Sequence, residues 1–419
     1  MTPNSSPPTV VILVDHGYVS GGQSKVAIES ALGLAAEGLR TIFFAACGPL
    51  DPRLEQAGIE TVCLEQHDIL NNPSRGAAAA QGTWNAKAAA VLKQLLARLP
   101  RENTIVHMHG WAKAISPSVA GPIRASGLPA VYTMHEYFLV CPNGGLYDFQ
   151  KDEVCRLEPM SAACWARHCD SRNYPFKLWR NARLLVAQMA GLGACFGDFI
   201  LISDLEEKLL AGRLPKGAEA HRVCNPVEVE PLGQKPEPAS GETIFVGRLS
   251  AEKGAPLFAQ AARLAGVSPV FVGDGPIAGE LARDYPEAKL LGWRSPAEVR
   301  AALRAARLLV FPSLWYETLG LSPLEAKGLG TPAIVSDVCA AKDEISNEVE
   351  GLWFRSGDVA ALAAALERAK DDALVTRLSR GAYKGYWRNP PTLRRHVAET
   401  LAVYEGMLAR RRGDSNFRS

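Results

Sequence analysis

Two glutamates, Glu317 and Glu325, lie eight positions apart in a segment that mixes apolar residues with turn residues. The segment, residues 311–337, reads FPSLWYETLGLSPLEAKGLGTPAIVSD. Its pattern predicts a strand, a tight loop, a helix start and a second strand. Such a loop can present carboxylates to sugar hydroxyls while free N–H groups at the helix start face an anion. The segment therefore indicates a site for a ligand that carries hydroxyl groups and negative charge.

Glu325 also has a purely structural interpretation. Ser322, Pro323 and Glu325 match a capping box, with Ser at N-cap, Pro at N1 and Glu at N3 of a helix. The same pattern recurs at residues 295–298, SPAE, where we assign no chemistry. Glu317 precedes the predicted helix, so a capping role does not account for it.

A basic loop in residues 246–254, VGRLSAEKG, supplies positive charge. A predicted strand ends at Gly247 and a helix begins near Gly254, so that Arg248 and Lys253 bracket the connection. An Arg fork matches phosphate oxygens, and a Lys supplies a mobile positive charge. The alternative is a solvated basic loop. The strand–loop–helix context favours phosphate contact.

Glycines and histidines follow predicted strands of the first half. Gly21 and Gly22 precede a helix, where an ordinary turn between strand and helix is the alternative. His109 and His135 follow two successive strands, and both a structural and a functional role stay open for them. Neither a G-x-x-x-x-G-K-[ST] nor a G-x-G-x-x-G pattern is present, which argues against nucleotide hydrolysis and nicotinamide chemistry.

The whole chain predicts an α/β protein that brings these strand ends together. Strands alternate with helices in both halves, which indicates two doubly wound Rossmann-like domains with parallel sheets. A linker rich in Pro, Gly and Glu covers residues 225–241. We therefore predict domains at 1–225 and 226–385, and a final part, 386–419, with a helix at about 393–408 and a disordered tail from Arg410. Ligands are expected in the cleft outside the carboxyl ends of the strands.

Composition excludes some functions. The formal charge of +2 over 419 residues does not indicate a nucleic-acid partner. No apolar run approaches the ~18 residues of a membrane span. The start, MTPNSSPPTV, lacks a basic region followed by an apolar stretch, so we predict a short disordered lead, no secretory signal and a cytoplasmic protein.

Residues 311–337 resemble the E-x7-E signature of retaining glycosyltransferases of family 4, which have the GT-B fold of two Rossmann-like domains facing a cleft. The variant PSLWYE is similar to a branch that builds bacterial surface polysaccharides. The resemblance extends from Gly21 to about Leu366. It implies transfer of a sugar, of the hexosyltransferase type, from a nucleotide-diphosphate sugar to a glycan or polyprenyl-linked acceptor. Exopolysaccharide, capsule or lipopolysaccharide biosynthesis would be the setting.

The resemblance also implies roles for individual residues. Arg248 and Lys253 would contact the donor diphosphate, and Glu317 and Glu325 the hydroxyls of the donor sugar and of the ribose. The implied catalytic residues are His135, Glu317, Arg248 and Lys253, with His109 on the acceptor side. The implied donor-binding residues are Gly21, Gly22, Arg248, Lys253, Glu317, Thr318, Leu319, Gly320, Leu321 and Glu325. No cofactor is expected for catalysis. The final helix would return to the first domain.

Four of the nine cysteines fall in a loop-rich insertion of about residues 138–172. They are Cys141, Cys155, Cys164 and Cys169, and their spacings are wider than the usual C-x2–4-C of zinc sites. Structural zinc, reduced thiols and disulfides all stay open, and His168 could replace one zinc ligand. Zinc would organise the acceptor loop without taking part in transfer.

Residues 175–190, PFKLWRNARLLVAQMA, predict an amphipathic helix with Lys177, Arg180 and Arg183. Such a helix can lie on an anionic membrane. The alternative is a helix that packs its apolar face on the core and exposes its basic face to water. A lipid-linked acceptor would make peripheral contact with the cytoplasmic face of the inner membrane useful.

Two other functions compete with sugar transfer. A nucleotide-sugar epimerase of the same fold would need acid and base groups at the sugar ring, and the E-x7-E pattern argues against it. A catalytically silent scaffold subunit would not need Arg248, Lys253, Glu317 and Glu325.

Overall fold

The first half of the chain forms a parallel sheet of seven strands. The computed structural model describes residues 7–416, so most of the expected N-terminal lead, residues 1–6, lies outside the described residues. The strands of this half are β1 (Thr9–His16), β2 (Arg40–Cys47), β3 (Glu60–Cys63), β4 (Thr104–Met108), β5 (Ala130–Met134), β6 (Tyr147–Asp148), β7 (Glu153–Val154), β8 (Asp198–Leu201) and β9 (Glu219–Arg222). The sheet order is β3-β2-β1-β4-β5-β8-β9, and β6 and β7 form a separate antiparallel pair.

Helices cover both faces of this sheet. They are α1 (Gly22–Ala36), α2 (Pro52–Gln56), α3 (Arg75–Thr83), α4 (Ala86–Ala97), α5 (Ala120–Ser126), α6 (Ala162–Ala166), α7 (Tyr174–Met189) and α8 (Asp204–Leu210), with 3₁₀ turns at Pro117–Val119 and Gly193–Cys195. Val11 and Leu13 of β1 pack into one apolar layer, and Val10 and Ile12 pack into the opposite one. Burial on both faces explains the unbroken apolar run of β1.

The second half repeats the same design with six parallel strands. These are β10 (Thr243–Val246), β11 (Pro269–Val272), β12 (Lys289–Leu290), β13 (Leu308–Phe311), β14 (Ala333–Ser336) and β15 (Gly351–Phe354). The helices are α9 (Ala255–Leu264), α10 (Ala278–Asp284), α11 (Pro296–Ala305), α12 (Leu321–Gly328), α13 (Ala341–Glu344), α14 (Val359–Arg368), α15 (Asp372–Arg388) and α16 (Leu393–Asn416). The sheet order is β12-β11-β10-β13-β14-β15.

Both sheets reverse their strand order beside their first strand. The reversal lies between β1 and β4 in the first sheet and between β10 and β13 in the second. Ligands of open α/β sheets bind at such reversals, outside the carboxyl ends of the strands. The predicted GT-B architecture of two Rossmann-like domains is confirmed, while the domain boundaries at 225 and 385 stay predictions.

The last helix packs on the first sheet. Val397 and Tyr404 of α16 join its apolar layer, and the Tyr404 hydroxyl lies 2.6 Å from Nδ1 of buried His107. The disordered tail expected from Arg410 is wrong as far as residue 416, because α16 continues to Asn416. Arg410 pairs there with Asp198 and Glu219 at the sheet edge. Residues 417–419 of the expected tail lie outside the described residues.

Helix α7 turns its basic face toward the protein interior, whereas both interpretations of its sequence place that face outward. Lys177 and Arg183 are buried, and the Arg183 guanidinium lies 5.1–5.4 Å from the ring centres of Trp111, Phe138 and Trp179. The exposed side is apolar. Its large exposed residues are Tyr174, Leu178, Leu185 and Met189. The basic face therefore turns inward. Cation–π contacts with aromatic rings and hydrogen bonds to backbone carbonyls stabilise the buried positive charge.

Candidate active site

A cleft of about 310 Å³ lies between the facing strand ends of the two sheets. Its lining includes Gly22, Gln23 and His135 from the first domain and Lys253, Glu317, Thr318, Leu319, Gly320 and Leu321 from the second. The Thr318 hydroxyl donates across the cleft to the carbonyl oxygen of His135 at 3.2 Å. Eight of the residues predicted from the sequence therefore meet at one place.

A small apolar cluster joins the two domains beside the cleft. Ile202 follows β8, Val227 lies in the linker, and Leu319 and Leu324 belong to the loop and helix after β13. The cluster brings the start of α12 against the first domain. Apolar burial thus fixes the wall of the cleft in which Leu319 and Leu321 lie.

Glu317 follows β13 and is held by its neighbours. Its Oε2 accepts a hydrogen bond from Trp315 Nε1 at 2.9 Å and forms an ion pair with Lys253 Nζ. The backbone oxygen of Glu317 accepts from the N–H of Ala340 at 3.0 Å. Oε1 accepts no hydrogen bond from any described residue, so this oxygen is available to a ligand hydroxyl.

Lys253 reaches the cleft from the loop between β10 and α9. The Lys253 ammonium lies 5.3 Å from the ring centre of Trp315. Gly254 follows with φ 75°, and a side chain there would overlap the carbonyl oxygen of Pro312. The close approach of these two loops requires glycine, and it places Lys253 beside Glu317.

Arg248 does not reach the cleft in this structure. Its side chain is 64% exposed and pairs with Glu252, whose carboxylate also accepts from the Ser250 hydroxyl at 2.8 Å. The structure therefore brings Lys253 and Glu317 together and leaves Arg248 on the outer side of the same loop.

The helix that carries Glu325 begins without a side-chain cap. Gly320, at φ 91°, is its N-cap, and Leu321 is its first residue. The Ser322 hydroxyl donates to the carbonyl oxygen of Val246 at 3.4 Å, so the capping-box interpretation of Glu325 is wrong. The uncapped N–H groups at this helix start adjoin the cleft and form a favourable place for an anion.

Glu325 lies one turn into α12 and does not line the cleft. Burial raises the pKa of its carboxyl group, and the charges of Lys25 and Arg300 oppose this rise. Lys25 belongs to α1 of the first domain, so Glu325 faces the junction of the domains. Its carboxylate accepts no hydrogen bond from any residue of the described range 7–416.

His135 lines the first-domain side of the cleft and stacks on His109. His135 Nε2 lies 3.0 Å from His109 Nδ1, and burial lowers the pKa of His135 to about 3 and that of His109 well below its ordinary value. Both rings are therefore neutral, and one donates its proton to the other. His109 is fully buried and does not line the cleft, and its predicted place on the acceptor side stays a prediction. It supports His135 from below.

The paired glycines differ in position. Gly22 lines the cleft, and a side chain there would lie 3.5 Å from Leu321. Gly21 precedes α1 in extended conformation and is exposed, with open space around it. Gly22 thus approaches the second domain, and Gly21 does not.

Sequence reasoning missed several residues of the site. Gln23 lines the cleft and donates to the backbone oxygen of His109, and Asn225 of the linker lies at its edge. Trp315 had no assigned role, although it lies two residues before Glu317 and holds its carboxylate. A side chain at Gly145 of the cysteine-containing insertion would lie 3.2 Å from the Trp315 ring, so the insertion contacts the site through this tryptophan.

The cysteine insertion contains no disulfide. All nine cysteines are unpaired, so the disulfide interpretation is wrong. Cys141 Sγ donates to Asn143 at 3.0 Å, and Lys177 Nζ donates to Cys164 Sγ at 3.4 Å. Within residues 7–416, the one set of three potential ligand atoms lying mutually within 4.8 Å is that of Asp198, Glu219 and His221. The four cysteine sulfurs of the insertion do not form such a set among these residues.

The second domain matches the family model described as "Glycosyl transferases group 1" over residues 241–372. The UDP-Gal:alpha-D-GlcNAc-diphosphoundecaprenol alpha-1,3-galactosyltransferase of Escherichia coli is 33% identical over 150 residues, 32% of this chain and 38% of that enzyme. The 2-deoxystreptamine glucosyltransferase of Streptomyces kanamyceticus is 28% identical over 348 residues, 78% of this chain and 84% of that enzyme.

The fold as a whole is similar to HepE of Anabaena, which was solved in complex with UDP and glucose. The two structures align with a TM-score of 0.65 and 17% identity over 94% of this chain and 100% of that one. The similarity includes both domains. Residues 241–372 are therefore similar to the group 1 glycosyl transferases, and the chain as a whole shares the two-domain fold of HepE.

Proposed function

We propose that this protein transfers a sugar from a nucleotide-diphosphate sugar to a glycan or lipid-linked acceptor. The observation that carries the proposal is the Lys253–Glu317 pair beside the uncapped start of α12, in a cleft between two Rossmann-like sheets. One site there offers a cation and free N–H groups for a diphosphate and a carboxylate oxygen for sugar hydroxyls. The relatives that match the chain are transferases, which favours transfer over epimerisation.

Donor binding would exchange partners at the Lys253–Glu317 pair. The leaving diphosphate gains negative charge during transfer, so Lys253 and the N–H groups of Leu321 and Ser322 stabilise it. Lys253 then leaves Glu317, whose carboxylate accepts from the sugar hydroxyls. Glu325 would accept from the ribose hydroxyls. Arg248 must turn from Glu252 to reach the diphosphate.

His135 would act as a neutral hydrogen-bonding group close to the reacting sugar. Its low pKa, about 3, keeps the ring uncharged at neutral pH, so it does not repel the positive charge that develops at the anomeric carbon. The expectation of retained anomeric configuration rests on the resemblance to family 4. No catalytic metal is needed in this scheme, because Lys253 and Arg248 supply the positive charge.

The acceptor side of the proposal rests on the first domain. The E. coli relative is named for a diphosphoundecaprenol acceptor, and α7 of this chain exposes an apolar stripe. No helix among residues 7–416 is long and apolar enough to cross a membrane. We propose that α7 contacts the cytoplasmic face of the inner membrane, where surface polysaccharides are assembled on lipid carriers.

A thermal-shift screen tests the donor. UDP-, GDP- and dTDP-sugars are added to the full chain, and a donor that binds the native state raises the melting temperature. The donor that raises it is then assayed for transfer. We expect a shift with one nucleotide class in the wild type and a smaller shift in the Lys253→Ala variant. Absence of any shift, together with absence of transfer from all three classes, would contradict the proposal.

Structural zinc in the insertion stays a separate prediction. The free thiols and the Lys177 contact support reduced cysteines. Elemental analysis of the purified protein decides between the two, because stoichiometric zinc supports a metal site and its absence leaves reduced thiols.

A further inference from the structure

A second cavity, of about 360 Å³, lies between α3 and α7 on the first domain. Its walls are mainly apolar and include Ile69, Leu70, Ala78, Ala79, Phe176 and Trp179. Its volume falls within the range of about 300–1,000 Å³ that small-molecule sites occupy. The cavity shares no residue with the cleft described above, so donor binding leaves it free.

Arginines surround this apolar space. Arg172 is exposed, lies 4.7 Å from the ring centre of Phe176 and forms no ion pair with any described residue. Arg75 is exposed and donates to two backbone carbonyls, those of Ile69 and Leu70, at 3.3 and 3.1 Å. The third arginine, Arg180, is neutralised by Asp170 at 2.9 Å. The opening therefore has the uncompensated charge of two guanidinium groups, which suit a phosphate.

The cavity and the cleft lie on two sides of one loop. Arg180, which lines the cavity, donates to the backbone oxygen of Asn143 at 3.3 Å. Two residues later, Gly145 packs on Trp315, which holds Glu317. The loop of residues 141–145 therefore links the wall of the cavity to the tryptophan that holds Glu317.

The exposed stripe of α7 adjoins this opening. Tyr174, Leu178, Leu185 and Met189 recur at spacings that place them on one face of a helix. Met189 is 79% exposed. A contiguous apolar face beside an arginine-rimmed cavity is the surface expected of a protein that takes a ligand from a lipid bilayer.

We propose that this cavity binds the lipid-phosphate part of a lipid-linked acceptor. The apolar chain lies against Phe176, Trp179 and the alanines of α3, and the phosphate pairs with Arg75 and Arg172. This inference rests on the proposed function, because it names the acceptor class for the same transfer.

Calorimetry on the full chain with farnesyl phosphate tests the proposal. Farnesol supplies the chain without the phosphate, and inorganic phosphate supplies the anion without the chain. We expect farnesyl phosphate to bind at least about tenfold more tightly than either. Equal affinity for farnesol or for inorganic phosphate would overturn the proposal.

Variants locate the binding. Arg172→Gln removes one phosphate contact, Ala79→Phe fills the cavity, and each should weaken farnesyl phosphate about tenfold. Arg98→Gln, an exposed arginine at the end of α4, should change nothing. An equal loss in Arg98→Gln, or no loss in the two cavity variants, contradicts the site. So do phosphatidylglycerol vesicles that bind in an Arg172-dependent way while farnesyl phosphate does not bind.

The donor experiment separates this inference from the proposed function. Ala79→Phe should keep the wild-type thermal shift with the nucleotide sugar and lose transfer to a lipid-phosphate acceptor. An intact donor shift without farnesyl phosphate binding overturns the cavity assignment alone. A wild type that responds to no nucleotide sugar overturns the proposed function, whatever farnesyl phosphate does.

Discussion

Residues 295–298 and 322–325 share the pattern Ser-Pro-x-Glu, yet they form different helix starts. At α11, Ser295 and Glu298 exchange hydrogen bonds in a complete capping box. At α12, Gly320 begins the helix two residues before the serine, and Ser322 donates to Val246 instead. The first start satisfies two of its N–H groups, those of Ser295 and Glu298, with its own side chains. The second leaves them facing a cleft, which is what an anion site requires.

The difference teaches that a capping pattern fixes a tendency and not an outcome. Because Gly320 adopts the left-handed conformation and is the N-cap, α12 begins at Leu321. Ser322 therefore lies inside the first turn and cannot be the cap. The apolar contacts of Leu319 and Leu324 with the first domain hold that arrangement. Glu325 is then free of its capping role and faces the domain junction.

The largest effect is expected at Glu317, which lies in the cleft beside the uncapped start of α12. Glu317→Ala removes the carboxylate that faces the cleft, and we expect sugar transfer to fall at least about a hundredfold. Circular dichroism should show an unchanged fold, and Glu298→Ala, in the capped helix, should keep wild-type transfer. Transfer by Glu317→Ala at the wild-type rate would refute the role of this residue.

Lys253→Ala should have the next largest effect. It removes the cation nearest the α12 start, and we expect the affinity for the nucleoside diphosphate to fall about tenfold, measured by calorimetry. The matched control is Lys289→Ala, an exposed lysine at β12. If both variants bind the diphosphate equally well, diphosphate binding at the start of α12 does not depend on Lys253.

The two glutamates of the shared pattern should titrate in opposite directions. Hydrogen bonds from Ser295 lower the pKa of Glu298, and burial raises that of Glu325. The stabilisation from Glu298 is therefore present above the ordinary Glu pKa and is lost as pH falls through its lowered value. Ionised Glu325 costs stability, and this cost disappears as pH falls through its raised pKa. Carbon-13 NMR titration measures both pKa values. A pKa of Glu325 below that of Glu298 would contradict this prediction.

The smallest effect concerns the serines. Ser295→Ala should lower the free energy of unfolding by about 1 kcal/mol, because it removes a working cap. Ser322→Ala should cost less than about 0.5 kcal/mol, because its hydrogen bond to Val246 is long. Urea unfolding of both variants measures the two costs, and equal losses would mean that Ser322 stabilises α12 as a cap does.

The sequence indicates apolar strands more clearly than polar ones. β14 and β15 are the short apolar runs AIVS and GLWF, and such runs are typical of buried parallel strands. β9, with the sequence EAHR at residues 219–222, has no such run. β9 is a mostly polar edge strand whose His221 bonds to Asp198 at 2.7 Å, so hydrophobicity did not reveal it.

The site was predictable only in part, for a physical reason. Lys253, Glu317 and His135 follow strand ends, and strand ends of parallel sheets meet at one edge. The support of Glu317 by Trp315, the burial of His109 beneath His135 and the inward turn of Lys177 depend on contacts between distant segments. No local pattern records such contacts, so these features required the folded structure.

The central claim is that the start of α12 is a donor site. Donor binding by two variants, Glu325→Gln and Glu298→Gln, tests it most directly. Calorimetry with the nucleotide sugar identified by thermal shift gives a dissociation constant for each variant and for the wild type. If the α12 start is a donor site, Glu325→Gln raises the dissociation constant about tenfold, and Glu298→Gln leaves it unchanged. Equal dissociation constants in all three proteins would contradict a donor role for the second Ser-Pro-x-Glu segment.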